Sequence, residues 1–231
     1  MARRIHCVLF DLDGTLLDTA PDMGGALNEL LVAHGQPALP AATIRPRVSN
    51  GAAALVRLGF GEDLPEPEFE RLRLGFLSLY AGRLDRETQL FDGAAELLQR
   101  LESGGVPWGI VTNKPSWLTD PLLDSLGLAA RAASVVSGDT LPTRKPHPDP
   151  LHHAARQIGV ASADCVYVGD AERDMIAARA AGMRAVFARY GYLDAGSTDD
   201  FGAEHACASV PALHGWLEHE GLVAPPRRTP E

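Results

Sequence analysis

Two carboxylates, Asp11 and Asp13, follow the apolar run Cys7-Val8-Leu9-Phe10 and lead into Gly14-Thr15-Leu16. In such a pair one carboxylate can act as a nucleophile while its neighbour moves protons. A hydroxyl follows a second apolar run in Val111-Thr112-Asn113-Lys114, and a cation stands in Arg144-Lys145-Pro146. Two further carboxylates, Asp170 and Asp174, lie four apart in Gly169-Asp170-Ala171-Glu172-Arg173-Asp174. If a fold gathers these, three or four carboxylates meet one lysine and one hydroxyl, a charge set too costly to bury without a divalent cation. Oxygen ligands and retained waters point to Mg2+.

Plainer readings compete with each piece taken alone. An Asp-x-Asp pair behind a strand is commonly a turn or helix cap, and Asp170 with Asp174 could open an exposed helix. A calcium loop does not fit, because Thr15 and Leu16 occupy places where that loop needs Asp or Asn and then Gly. Cation usage favours the chemical reading: of the 21 basic residues only Lys114 and Lys145 are lysines, and both stand in these segments. Such placement suits sites that need a compact ammonium rather than a planar guanidinium. Lys145 is the stronger candidate, and Lys114 borders the site. Asp18 and Asp22 read as capping residues, and the tryptophans and histidines show no ligand spacing.

The elements that must position these residues follow from periodicity. Apolar runs at 5–10, 108–111, 134–137, 165–168 and 185–188 recur between helical patterns, the mark of βα units around a parallel sheet. The fold class is α/β, a doubly wound parallel sheet, and ligands of such sheets bind outside the carboxyl ends of the strands. Helical patterns at 94–101 and 176–181 end at Ser103-Gly104-Gly105 and at Gly182. Between 19 and 90 the rhythm breaks into helical periodicity interrupted around Pro40 and Pro65, with no strand pattern. The expected organisation is a core of residues 1–18 and 91–222, a helical insertion over 19–90, and a mobile tail over 223–231.

Composition sets the outer bounds. With 231 residues, of which 45% are hydrophobic, the chain can bury a full core. A net charge of -9 disfavours a nucleic-acid partner, since phosphate backbones are held by clustered cations. Three cysteines, two of them in apolar runs, are expected to be free thiols of a reducing compartment. No apolar run approaches the length of a signal-peptide core or a membrane span. A cytoplasmic protein is expected, and its oligomeric state is left open.

The motifs Asp11-x-Asp13-Gly14-Thr15, Thr112, Lys145 and Gly169-Asp170-x-x-x-Asp174, in that order and each behind an expected strand, resemble the four motifs of the haloacid dehalogenase-like superfamily. The resemblance implies a Rossmann-like core with an inserted cap, and a phosphatase in which Asp11 attacks phosphorus. Asp13 would protonate the leaving oxygen and then activate water. Thr112 and the backbone amides after Asp11 and Thr112, those of Leu12 and Asn113, would hold the phosphoryl oxygens, while Lys145 and Mg2+ would offset charge on the nucleophile and the phosphoryl group. Asp11, the backbone carbonyl of Asp13, and Asp170 would ligate Mg2+, with Asp174 either a further ligand or a partner for Lys145.

Within that superfamily, Asp13 argues against a dehalogenase, which has no alkoxide to protonate. The absence of lysine between Thr15 and Val111 argues against phosphonate cleavage through a Schiff base. The interval between Thr112 and Lys145 is too short for a second large cap, so the chain resembles the C1-capped group. In that group Arg45-Pro46-Arg47-Val48-Ser49-Asn50-Gly51 resembles the substrate loop, and Arg45 or Arg47 could hold a carboxylate. The motif surroundings are similar both to bacterial phosphoglycolate phosphatases and to N-acetylmuramic acid 6-phosphate phosphatases, and Glu172-Arg173 keeps both open. A sugar phosphomutase of the same superfamily and a receiver-like phospho-signalling module are the alternatives. The receiver needs about half this length and no insertion.

Overall fold

The computed structural model describes residues 4–193 and 198–222. Its centre is a six-stranded, all-parallel sheet of β1 (Cys7–Phe10), β4 (Trp108–Val111), β5 (Ser134–Val136), β6 (Cys165–Gly169), β7 (Arg184–Ala188) and β8 (His205–Cys207), in the order β5-β4-β1-β6-β7-β8. The chain moves outward from β1 to one side through β4 and β5, then returns to the other side through β6. The strand next to the first aspartates is therefore the switch point, where a crevice opens between loops that diverge.

Burial explains why these short runs are strands. All four residues of β1 are buried, and its side chains alternate: Val8 and Phe10 enter one hydrophobic cluster, Cys7 and Leu9 the other. The first cluster also takes leucines of α5 (Ala94–Ser103), α6 (Ser116–Ser125) and α9 (Val210–His219). The second is closed by α7 (Asp149–Ile158) and α8 (Glu172–Ala180). Register aligns the strand ends: Phe10 pairs with Ile110 on one side and Val168 on the other. Asp11, Thr112 and Asp170 thus emerge at one edge of the sheet.

Within residues 19–90 lie four helices, α1 (Ala20–Ala33), α2 (Ala41–Ile44), α3 (Gly51–Phe60) and α4 (Glu66–Ala81), with a 3-10 turn over Arg45–Asn50. Leu27, Leu30, Leu31, Leu55, Val56, Phe69, Leu72 and Phe76 pack these helices together. The expectation that 19–90 holds no strand needs correction. β2 (Leu17–Asp18) and β3 (Gln89–Leu90) pair antiparallel where the chain leaves and re-enters the core. Two residues per strand are too few to show alternation in a sequence. β8 likewise escapes notice, because His205-Ala206-Cys207 is neither long nor uniformly apolar. The helix expected from 176 starts at Glu172, so that Asp174 sits in its first turn.

Asp22 is not a cap. It is fully buried, and one oxygen accepts from Glu87 N (2.9 Å), Thr88 N (2.8 Å) and Thr88 Oγ1 (2.8 Å), while the Arg83 guanidinium stands 3.4 Å from the other. It ties the first turn of α1 to the segment that returns to the core. Asp18 accepts from Arg45 Nη1 (2.9 Å) and from the Tyr192 hydroxyl (3.0 Å), with only a long 3.4 Å contact to Ala20 N. The three cysteines are free and buried. Among the described residues no helix is long and apolar enough to cross a membrane. The segment 223–231 lies outside the described residues.

Removing the Asp22 carboxylate leaves three donors and an arginine without their partner. Asp22→Ala should lower stability by about 3–5 kcal/mol in urea unfolding, as loss of one partner of a buried ion pair does. A change below about 1 kcal/mol would place Asp22 among surface charges and contradict this anchoring role.

Candidate active site

The ends of β1, β4 and β6 and the loop before α7 meet beneath the helical insertion at a cavity of about 730 Å3. Asp11, the first residue past β1, is held by backbone on two sides: its amide donates to Val168 O of β6 (2.8 Å), and its Oδ1 accepts from Leu12 N (2.8 Å). Lys145 Nζ stands 2.8 Å from Asp11 Oδ1 and 2.8 Å from Asp174 Oδ1, and donates to Val111 O (2.9 Å) and the Tyr167 hydroxyl (2.7 Å). Its side chain is completely buried. Of the two roles the sequence leaves open for Asp174, partnership with Lys145 is visible directly.

Asp11, Asp170 and Asp174 each offer an oxygen within 4.8 Å of the others. Burial raises the Asp11 carboxyl above its ordinary range, Lys145 opposes this, and the Asp174 charge adds to it. Asp170 is pushed up to about 7, first by burial and then by the charges of Asp11 and Asp174. The Lys145 ammonium and the Arg173 guanidinium, whose charge the three acids feel, together still leave three buried carboxylates with a negative surplus. Asp170 Oδ2 accepts from Ser49 Oγ (2.6 Å) and Tyr192 N (3.0 Å), whereas Oδ1 is buried without a partner. An orphaned carboxylate oxygen in an oxygen-only cluster of negative surplus fits a hard divalent cation. Gly14 makes room for this arrangement. It adopts φ +83, and a Cβ there would lie 2.2 Å from Asp170 Oδ2.

Asp13 lies apart from the trio. Its Oδ1 accepts from Thr19 Oγ1 (2.7 Å) and Lys114 Nζ (2.9 Å). Lys114, which the sequence places at the border, is buried and also donates to the Tyr80 hydroxyl (2.6 Å) from α4. Burial alone would lower the Lys114 pKa, but Asp13 and then Tyr80 outweigh it and hold the ammonium charged. Burial pushes the Tyr80 hydroxyl up to about 12, against the pull of Lys114. Thr112 lines the cavity, and its Oγ1 accepts from Lys114 N (3.1 Å). Asn113 Nδ2 donates to Lys145 O (2.8 Å), and its Oδ1 is buried without a partner.

The loop expected to read substrate divides. Ser49, Asn50 and Gly51 line the cavity, while Arg45 and Arg47 do not. Arg45 turns the other way, paired with Asp18 and lying 5.0 Å over the Tyr192 ring, and lines a separate hollow of about 340 Å3. Arg47 is exposed. The reason is the tight turn over Arg45–Asn50, which buries Val48 and thereby aims Ser49 at the core. Residues that sequence reasoning did not single out also line the cavity: Arg73, Tyr80, Trp117, Arg144 and Arg173. Arg173 Nη2 donates to Ser49 O (2.6 Å) and Nη1 to Asn50 Oδ1 (3.4 Å), joining core to insertion. Arg144 and Arg173 stand beside motif residues in the sequence but carry no signal of their own there, and Tyr80 has none beyond a place on a helix face.

The pattern of the family described as haloacid dehalogenase-like hydrolase matches residues 8–188. A phosphoglycolate phosphatase of Xanthomonas campestris is 52% identical over 81% of this chain and 84% of its own length. An N-acetylmuramic acid 6-phosphate phosphatase of Pseudomonas putida is 42% identical over 82% of this chain and 85% of its own. The crystal structure of a predicted phosphoglycolate phosphatase from Haemophilus somnus superposes with a TM-score of 0.81 at 26% identity, covering 92% of this chain and 97% of that one.

The raised Asp170 carboxyl gives a pH signature in the cation-free protein. A carboxyl whose folded pKa exceeds its unfolded value costs stability where it is ionised, so its penalty grows as pH rises from about 4 to about 7. In chelator, Asp170→Asn should therefore be more stable than wild type at pH 8, with the advantage shrinking towards pH 4. Urea unfolding across that range checks this, and a pH-independent difference would contradict it.

Proposed function

The chain belongs to the haloacid dehalogenase-like hydrolase family and is a phosphatase, and from that premise we propose that it is a Mg2+-dependent phosphomonoester hydrolase working through a phospho-aspartate on Asp11. The observation that carries the reading is Asp11 itself. Its carboxylate is fixed at the floor of the cavity by Leu12 N and Lys145, a short way from a second carboxylate, Asp13, whose Oδ1 is already occupied by Thr19 and Lys114. Two carboxylates with separate partners can take separate roles.

In the proposed first step an Asp11 oxygen attacks phosphorus, the P–O ester bond breaks, and the leaving oxygen takes a proton from Asp13. In the second, Asp13 takes a proton from water, the oxygen of that water attacks phosphorus, and the P–O bond to Asp11 breaks, releasing inorganic phosphate. Lys145 limits the build-up of negative charge at Asp11, and Thr112 with the amide of Asn113 receives phosphoryl oxygens. Asp11, Asp170 and Asp174, with the backbone carbonyl of Asp13, would hold Mg2+, which supplies electrostatic neutralisation of the phosphoryl group. Asp174 serves Lys145 as well as the cation. The helical segment of residues 19–90 acts as a cap that excludes water above the core of 1–18 and 91–222. Free, buried cysteines support a reducing, cytoplasmic setting.

The substrate is a small phosphate ester carrying a carboxylate. Arg144, which lines the cavity, takes the carboxylate-holding role in place of Arg45 and Arg47, which do not line it; Arg73 lines it too, but its guanidinium is already paired with Glu70 (2.7 Å). Two readings have support. The 52% identity to a phosphoglycolate phosphatase favours 2-phosphoglycolate. A cavity of about 730 Å3, of the size that encloses a ring with its substituents, favours N-acetylmuramic acid 6-phosphate.

Phosphate release from both compounds, hexose phosphates and p-nitrophenyl phosphate tests the proposal. One carboxylated ester should lead by at least about a hundredfold in kcat/KM, EDTA should stop turnover, and Asp13→Asn should lower it by about 10²–10⁴. Full activity in EDTA or of clean Asp11→Asn protein would overturn the mechanism. Movement of phosphate within a sugar without release would make the chain a mutase.

A further inference from the structure

Ser49 belongs to the helical insertion, yet its hydroxyl donates to a carboxylate of the core. The bond to Asp170 Oδ2 is 2.6 Å, and the same oxygen accepts from Tyr192 N at 3.0 Å. Around Oδ2 the packing is complete: a Cβ built on Gly14 would approach it to 2.2 Å, and one on Gly191 to 2.8 Å. Oδ1 is buried and has no partner. A carboxylate is a rigid plane, so occupying and packing one oxygen fixes the direction of the other. Asp170 is one of the three acids whose oxygens gather within 4.8 Å, and the bare Oδ1 is the one left for that gathering.

We propose that Ser49 is a positioning residue for the divalent-cation site, orienting Asp170 by a hydrogen bond from the inserted segment, so that docking of the 45–50 turn and cation binding are one linked equilibrium. The inference rests on the reading of Asp11, Asp170 and Asp174 as a cation site. Groups that hydrogen-bond a ligating carboxylate from behind fix its orientation, and their loss costs about 10–100-fold in metal affinity. What sets Ser49 apart from Tyr192 N is its origin in a different part of the chain. Arg173 seats the same turn through Ser49 O (2.6 Å) and Asn50 Oδ1 (3.4 Å), so the hydroxyl is presented from a turn that the core itself holds. Linkage is reciprocal. If the docked turn strengthens cation binding, the cation stabilises the docked turn by the same factor.

Isothermal titration of the full chain with MgCl2, without substrate, separates this inference from the reading beneath it. Ser49→Ala should weaken Mg2+ binding about 10–100-fold, while Ser49→Thr, which keeps the hydroxyl, stays close to wild type. Hydrogen exchange at amides 48–51 should slow on adding Mg2+ in wild type and in Ser49→Thr, but not in Ser49→Ala. Equal affinities of wild type and Ser49→Ala, or equal losses in Ser49→Ala and Ser49→Thr, would overturn the role of the hydroxyl while leaving the cation site standing. No Mg2+ binding by wild type would overturn both.

Discussion

A single buried ammonium stands between two buried carboxylates, and the rest of the molecule is arranged around that contact. Lys145 lies 2.8 Å from both Asp11 and Asp174. Charges taken this far from water are tolerated only when geometry and extra hydrogen bonds are supplied together. The fold supplies them from separate places: the end of β1 brings Asp11, the first turn of α8 brings Asp174, and Val111 O and the Tyr167 hydroxyl add two further acceptors, so that four oxygens share the three N–H groups of Lys145. A parallel sheet with β1 at its switch point brings such ends together without long loops. Asp170 adds a third carboxylate, in no ion pair among the described residues, and even with the Arg173 guanidinium in its field the negative surplus that remains at the floor of the cavity fits a divalent ion.

Above that floor, the helical insertion reaches the second aspartate both directly and through Lys114. Lys114 is shared between Asp13 of the core and Tyr80 of α4, and Thr19 at the start of α1 occupies the same Asp13 oxygen. Arg173 reaches from α8 to Ser49 and Asn50. The insertion therefore supplies partners to the loops that carry Asp13 and Asp170, and any motion of its helices would be felt at both. The chain uses lysine twice, and both ammonium groups are buried against aspartates. The flexible, compact ammonium fits among several acceptors, where a guanidinium fork would impose its own plane.

Much of this was legible in the sequence because it depends on runs. Buried parallel strands read as uninterrupted apolar segments, so β1, β4, β5, β6 and β7 were foreseen, and with them the edge where Asp11, Thr112 and Asp170 emerge. Features that depend on single long-range contacts were not legible. β2 and β3 exist only because they find each other across 70 intervening positions, and Asp22 reads as a helix-start acid until Thr88 folds back onto it. The arginines of the 45–51 loop show the same limit. Their type suited a carboxylate, but the turn that buries Val48 directs Arg45 to Asp18 and leaves Ser49 facing the acids. Tyr80 and Arg173 matter through what they touch, and periodicity does not report touch.

The central claim is that Asp11 carries the phosphoryl group between the two steps. Acid quench of the Asp13→Asn protein during exposure to a phosphate ester and Mg2+, followed by peptide mass analysis, tests it most directly. The account predicts one phosphoryl group, labile to base and to hydroxylamine, on the peptide containing Asp11, and none on the corresponding peptide when Asp11 is also replaced by Asn. Phosphoryl on any other residue, or turnover by direct attack of water with no trapped adduct, would contradict it.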